Sequence, residues 1–303
     1  MVRVLRSTAR GTLDSLSAVL FPSDCRACGA PLARFSLLPI CDSCWNDLPA
    51  QAGTLCLRCG EALTFEAPGQ NQALCRPCQA TPPDFEKAVA HGVYRGTLRT
   101  LLHLLKYNGL EPIAQRLGQR LAEQIRGIPG LPDSLSVVPV PLYRSKRRER
   151  GFNQAERLAR ATIAALRHQR PTLHAQLEAG LLQRQRATES QAGLTPHQRR
   201  ANVRGAFFVP HAEAVKGRDI LLIDDIYTTG ATARACATAL KRAGAAHVWV
   251  ATVARAQKEF ATAHAEPAQA RTETDLPMEE DFVYWDNGGR ADHDRRPGSN
   301  ART

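Results

Sequence analysis

A parallel α/β sheet flanked by helices, preceded by a small cysteine-held module, is the fold this sequence predicts. Two observations carry the prediction. After Pro82-Pro83, short apolar runs alternate with segments of helical periodicity, as the strands and crossover helices of a parallel sheet do. Before that point, eight of the nine cysteines stand in four CxxC pairs. A length of 303 residues suits two domains better than one. The expected divisions are an N-terminal amphipathic helix at 1–22, a cysteine module at 23–80, an α/β domain at 81–256 and a tail at 257–303. That tail is acidic, lacks apolar periodicity and reads as disordered.

At the N-terminus, Val4, Leu5, Leu13, Leu16, Val19 and Leu20 fall on one helical face among Arg3, Arg6 and Arg10. This reads as a helix docking on the protein rather than a secretory signal. No run approaches the ~20 apolar residues a membrane helix needs, so no membrane insertion is expected. Lack of an export signal points to the cytoplasm.

The cysteine pairs are Cys25/Cys28, Cys41/Cys44, Cys56/Cys59 and Cys75/Cys78, with 12, 11 and 15 residues between successive pairs. A CxxC turn brings two thiolates to one side of a tight loop, which is half of a tetrahedral site. Four pairs supply two all-thiolate sites. With no His or carboxylate to complete an open site, they read as two structural zinc ions. The competing reading, a disulfide framework, needs an oxidising compartment. A redox CxxC would stand singly at a helix start. Sequential pairing gives two successive ribbons and is favoured; interleaved pairing gives a cross-brace. The apolar supply is small, so the metal contributes much of the folding energy. Cys236, on an alanine-rich helix, reads as a small core residue.

In the α/β region, FEKAVAHGVYRG reads as a strand and TLRTLLHLLKYNG as a helix ended by Asn108-Gly109. Pro112 to Arg126 is a second helix, SVVPVP a short buried strand, and Gly151 to Arg167 a third helix. GLLQR is a short strand before QRATESQAG, a polar mobile loop. Thr195-Pro196 opens a short helix with Pro at its first position. Ala206 to Val209 is strand-like. ILLI is a buried parallel strand, Gly230 to Arg242 a helix, and HVWVATVA a further strand.

The run ILLIDDIYTTGAT, Ile220 to Thr232, is the richest in chemistry. A buried strand meets two carboxylates, then a Thr/Gly turn, then a helix. Small residues let backbone close around a phosphate, and the helix N-terminus turns amides and partial positive charge toward it. Thr228, Thr229 and Thr232 add hydroxyls. Asp224 and Asp225 stand at the carboxyl end of the strand, where α/β sheets bind ligands. Beside a phosphate they make sense as acceptors for sugar hydroxyls, with Mg²⁺ offsetting the charge.

This run resembles the phosphoribosyl pyrophosphate (PRPP) signature of type I phosphoribosyltransferases. The resemblance implies that Asp224 and Asp225 hold the ribose, while Thr228, Thr229, Gly230, Ala231 and Thr232 cradle its 5′-phosphate. VPVPLYRSKRRERGFNQAERLA (Val138 to Ala159), QRATESQAGLTPHQRRANVRGAF (Gln185 to Phe207), HLLKYNG (His103 to Gly109) and the four CxxC pairs resemble the ComF family in particular. The likeness runs from about Leu20 to Arg255. It implies a type I phosphoribosyltransferase fold, with Arg148 and Arg150 on the pyrophosphate; Lys106, after an apolar helix face, reads either as reaching the phosphates or as a helix-end charge. Arg186, Thr188, Gln191 and Arg204 belong to the stretch that resembles the loop closing over PRPP in this fold. Thr228 stands where purine-salvage relatives carry an Asp that handles the base, which argues against a hypoxanthine-type enzyme. No N-terminal cysteine nucleophile accompanies the site, which leaves glutamine-dependent amination unsupported.

Charge agrees with an anionic partner. Of a net +11, the stretch Arg144 to Arg204 holds an excess of +10, from 14 basic and 4 acidic residues. The resemblance implies a Mg²⁺-dependent phosphoribosyltransferase with an unnamed acceptor, linked to DNA uptake in natural transformation. Its partners would be PRPP, and single-stranded DNA or the helicase and recombination proteins of competence. A PRPP sensor without turnover and a single-stranded-DNA-binding competence factor stand as alternatives.

Overall fold

A computed structural model describes residues 23–32, 38–63, 73–186 and 195–257. The helix expected at 1–22 and nearly all of the tail lie outside these residues. Five parallel strands form the main sheet: β1 (Lys87–Val93), β2 (Ser134–Pro139), β3 (His174–Leu177), β6 (Asp219–Tyr227) and β7 (His247–Arg255), in the order β1-β7-β6-β2-β3. A two-stranded antiparallel ribbon, β4 (Gln183–Arg184) and β5 (Phe207–Phe208), stands apart, in register Gln183↔Phe208 and Arg184↔Phe207. The fold is thus the parallel α/β sheet with flanking helices that the alternation of patterns predicted.

Side-chain alternation along the strands builds two cores, one on each face. Leu221, Ile223, Trp249 and Ala251 face α3 (Gly96–Asn108), α4 (Glu111–Arg126) and α6 (Gln154–Gln169). Ile220, Leu222, Val248 and Val250 face α8 (Ala231–Arg242), where Cys236 is fully buried as expected. Among the remaining helices, α1 (Asp42–Asn46) and α2 (Arg76–Ala80) each begin just after a cysteine ligand. α7 (Pro196–Val203) starts with Thr195 and Gln198 forming a reciprocal cap. The basic segment also folds, into α5 (Arg144–Arg150), with no buried residue and Gly151 ending it.

The cysteine segment is built into both cores. Cys25, Ile40 and Trp45 join the cluster of α3 and α4, while Cys56, Cys59, Cys75 and Cys78 join that of Phe85, Ala88 and α8. Ala50 bridges Gly92 of β1, and Val93 N–H donates to Pro49 carbonyl at 2.8 Å. The Pro49 carbonyl sits where a Cβ on Gly92 would be, so only glycine admits this seam.

Candidate functional site

The sulfurs fall into two sets, Cys25/Cys28/Cys41/Cys44 and Cys56/Cys59/Cys75/Cys78, each with its ligand atoms within 4.8 Å of one another. Sequential pairing is therefore the arrangement found. Four sulfurs around zinc at ~2.3 Å would lie ~3.8 Å apart along the tetrahedral edges. Cys28 and Cys41 Sγ are 3.7 Å apart, and Cys59 and Cys75 Sγ 3.6 Å. Backbone amides turn toward sulfur as such sites require: Cys41 N–H to Cys25 Sγ and Cys75 N–H to Cys56 Sγ, both at 3.3 Å. The donor set fits structural zinc at both places.

The second site lies where β6 hands over to α8. A cleft of about 270 Å³ opens there, lined among others by Lys106, Lys146, Arg150, Arg184, Asp224, Asp225, Thr228, Gly230 and Thr232. The two adjacent acids both line the cleft and feel each other's charge, but their partners differ. Asp225 turns to the α3 face, where its Oδ2 lies 2.8 Å from Lys106 Nζ; the two side chains are 8% and 21% exposed. Burial opposes the charge of each, but the pairing outweighs it, so Asp225 is held below the ordinary carboxylate range and Lys106 above the ordinary lysine value. Asp224 meets the opposite situation. Burial, then the charge of Asp225, push it well above the usual carboxylate range. Each acid accepts the next backbone N–H, Asp225 N–H to Asp224 Oδ1 at 2.9 Å and Ile226 N–H to Asp225 Oδ1 at 3.0 Å. These bonds fix both carboxylates in place.

The turn Thr228-Thr229-Gly230 follows. Gly230 has φ 75°, and a Cβ there would strike the hydroxyl end of the Tyr227 ring. Thr229 Oγ1 accepts from Ala231 N–H at 3.4 Å. The turn thus rests on Tyr227 and opens onto the first turn of α8.

The basic wall comes from α5. One helical turn separates Lys146 and Arg150, so they share a face, and both line the cleft. Arg148, on the other face, is exposed and is not among the lining residues. Arg150 is aimed by its Nη1 bond to Gln154 Oε1 at 2.6 Å, and Asn153 ties the start of α6 to Val140 carbonyl at 3.0 Å. The Arg150 guanidinium lies 5.5 Å from the ring centroid of Tyr107, which is 70% exposed at the lip.

Arg184 lines the cleft on the Asp224 side, a residue the sequence reading passed over. It is brought there by the β4–β5 ribbon, through which the segment expected to close over the site leaves and returns. The neck of that segment is tied: Arg186 Nη2 donates to the carbonyls of Asn202 and Arg204, at 2.9 and 3.0 Å. Arg186 thus holds the neck, and Arg204 is exposed at the end of α7. Thr188 and Gln191 lie outside the described residues.

Two four-cysteine centres joined to a parallel sheet, with an acid pair and a glycine turn at its strand ends, define a double zinc ribbon protein with an α/β ligand site. The double zinc ribbon domain model matches residues 16–81. The DNA utilization protein YhgH of Escherichia coli K12 is 32% identical over 232 residues, covering 76% of this chain and 95% of that protein. Competence protein F of Haemophilus influenzae is 27% identical over 223 residues, covering 72% and 90%. Competence protein ComFC of Bacillus subtilis is 26% identical over 224 residues, covering 71% and 84%. The chain belongs to the ComF family. Among solved structures, a glutamine PRPP amidotransferase from B. subtilis is similar at 21% identity and TM-score 0.27, over 47% of this chain and 26% of that one. That likeness is too slight to carry weight. No helix among the described residues is long and apolar enough to cross a membrane.

Proposed function

We propose that the cleft binds PRPP with Mg²⁺ and that the protein is a phosphoribosyltransferase serving DNA utilization. The observation that carries this reading is the division of labour between the acids. Asp225 is ion-paired with Lys106, while Asp224 is left at the rim, beside a glycine turn that opens a helix. In this reading the carboxylates accept from the ribose 2′ and 3′ hydroxyls, and residues 228–232 donate to the 5′-phosphate. Lys146, Arg150 and Arg184 then face the pyrophosphate, where guanidinium groups suit phosphate oxygens.

Transfer breaks the bond between the anomeric carbon and pyrophosphate and forms one to an acceptor. Positive charge gathers on the sugar and negative charge on the leaving group. The basic wall stabilises the latter. Mg²⁺, when bound with the pyrophosphate, would supply further charge neutralisation beside Asp224 and Asp225.

A second reading, single-stranded DNA binding, is supported by Tyr107 and the exposed basic helix α5. An open aromatic ring beside clustered cations suits a stacked base and its backbone. The cytoplasm is where either activity would be used.

Pyrophosphate release from PRPP and Mg²⁺, with pooled bases, nucleotides and single-stranded DNA as acceptors, tests the enzyme. Release lost in an Asp224→Ala/Asp225→Ala variant supports the assignment, and release equal to the parent's sinks it. PRPP binding without release favours a sensor.

A further inference from the structure

Two arginines flanking the phosphate loop run down to sulfurs of the second cysteine cluster. Arg255 ends β7 and is 3% exposed. Its Nη2 lies 3.5 Å from Cys59 Sγ and also donates to Glu61 Oε2, while its guanidinium covers the Tyr227 ring at 4.2 Å. Tyr227 in turn fills the space beneath Gly230. Arg234, in the first turn of α8, donates from Nη2 to Cys78 Sγ at 3.6 Å and from Nη1 to Thr81 carbonyl at 2.7 Å. All four cysteines of this cluster are buried, whereas Cys28 of the first is exposed. The first cluster packs instead beside α4, with Arg116 over Trp45 at 5.0 Å.

Zinc bound by four thiolates carries two net negative charges. Burying such a centre calls for outer donors to sulfur, and Arg255 and Arg234 supply them. The dependence runs both ways. Arg255 is a buried cation, and without the dianion Glu61 is its one remaining ion-pair partner among the described residues. The support under Tyr227, and through it the Gly230 turn, then loosens.

We propose that Arg255 is a positioning residue for the phosphate loop, and that the metal of the second cluster, not the first, sets the loop's affinity for a phosphorylated sugar. The proposal rests on reading residues 228–232 as a phosphate site. Linkage makes the coupling reciprocal, so a ligand in the loop must also hold that metal more tightly.

The test uses full-length protein loaded with two zinc ions. Ribose 5-phosphate binding is measured by calorimetry, and zinc partition to a chromogenic chelator is titrated to equilibrium with and without the sugar phosphate. Saturating ligand is expected to tighten one zinc equivalent by about tenfold and leave the other unchanged. The tightened equivalent should persist in Cys25→Ser, which disables the first cluster. Arg255→Lys should bind ribose 5-phosphate about tenfold more weakly with both zinc ions in place. Equilibrium affinity of both ions indifferent to ligand overturns the proposal, as does parent-like binding by Arg255→Lys. If that variant does not fold, protection in the parent decides alone. Absence of heat with the parent overturns the phosphate-loop reading as well, a different result from heat without protection.

Discussion

Replacing Asp224 and Asp225 one at a time by asparagine should move stability in opposite directions. The Lys106–Asp225 pair is 2.8 Å long and mostly buried. At an effective dielectric of ~20, charges that close attract by about 6 kcal/mol. Asparagine keeps an acceptor oxygen, and Lys106, one-fifth exposed, regains some water. The net loss for Asp225→Asn is about 3 kcal/mol, or ~6–12 °C in Tm for a protein of this size. Asp224→Asn removes a charge that burial and Asp225 oppose more strongly than Lys106 offsets, so it should raise Tm by ~2–4 °C. The pH dependence separates them. Asp225 is depressed in the fold, so its contribution is present above the ordinary carboxylate value and fades as pH falls through its own lower one. Asp224 is raised, so the folded state favours its protonated form. Its charge costs nothing below about pH 4 and progressively more as pH climbs through its raised value. Circular-dichroism melts of both variants between about pH 3 and 8 check this. Equal losses in the two variants, or a flat difference for Asp224→Asn, would refute the division of charge between them.

Gly230→Ala forces a Cβ onto Tyr227 at a positive φ, so ribose 5-phosphate binding should fall at least ~100-fold by calorimetry. Cys56→Ser and Cys25→Ser should each reduce zinc from two ions per chain to one by elemental analysis, because the clusters share no ligand. Tyr107→Ala should weaken a single-stranded oligonucleotide by about 1–3 kcal/mol in fluorescence anisotropy while leaving sugar-phosphate binding unchanged. An oligonucleotide affinity equal to the parent's removes Tyr107 from that surface.

What could be read in advance was whatever sits in contiguous sequence. The CxxC spacing announced both clusters, and the acid pair with its glycine turn announced the cleft, because neighbours along the chain build both. The missing parts come from distance or from a lack of pattern. β3 is a four-residue edge strand with one buried residue, too short for a period to show. RSKRRER has no apolar residue, so its helix left no amphipathic trace, and only its helical pitch turns Lys146 rather than Arg148 to the cleft. Arg184 comes to the cleft through pairing between strands more than twenty residues apart, and Arg255 looked like the end of a strand. Its contacts with Cys59 and Tyr227 span 196 and 28 residues of chain.

The seam at Gly92 carries a consequence for inheritance. Pro49 carbonyl presses where a side chain would begin, and Ile40 and Trp45 share their packing with α4. A chimera that transplants the cysteine ribbons from one relative to another must carry the matching faces of β1 and α4 along. Substitutions on the two sides of this seam should therefore travel through lineages as matched sets.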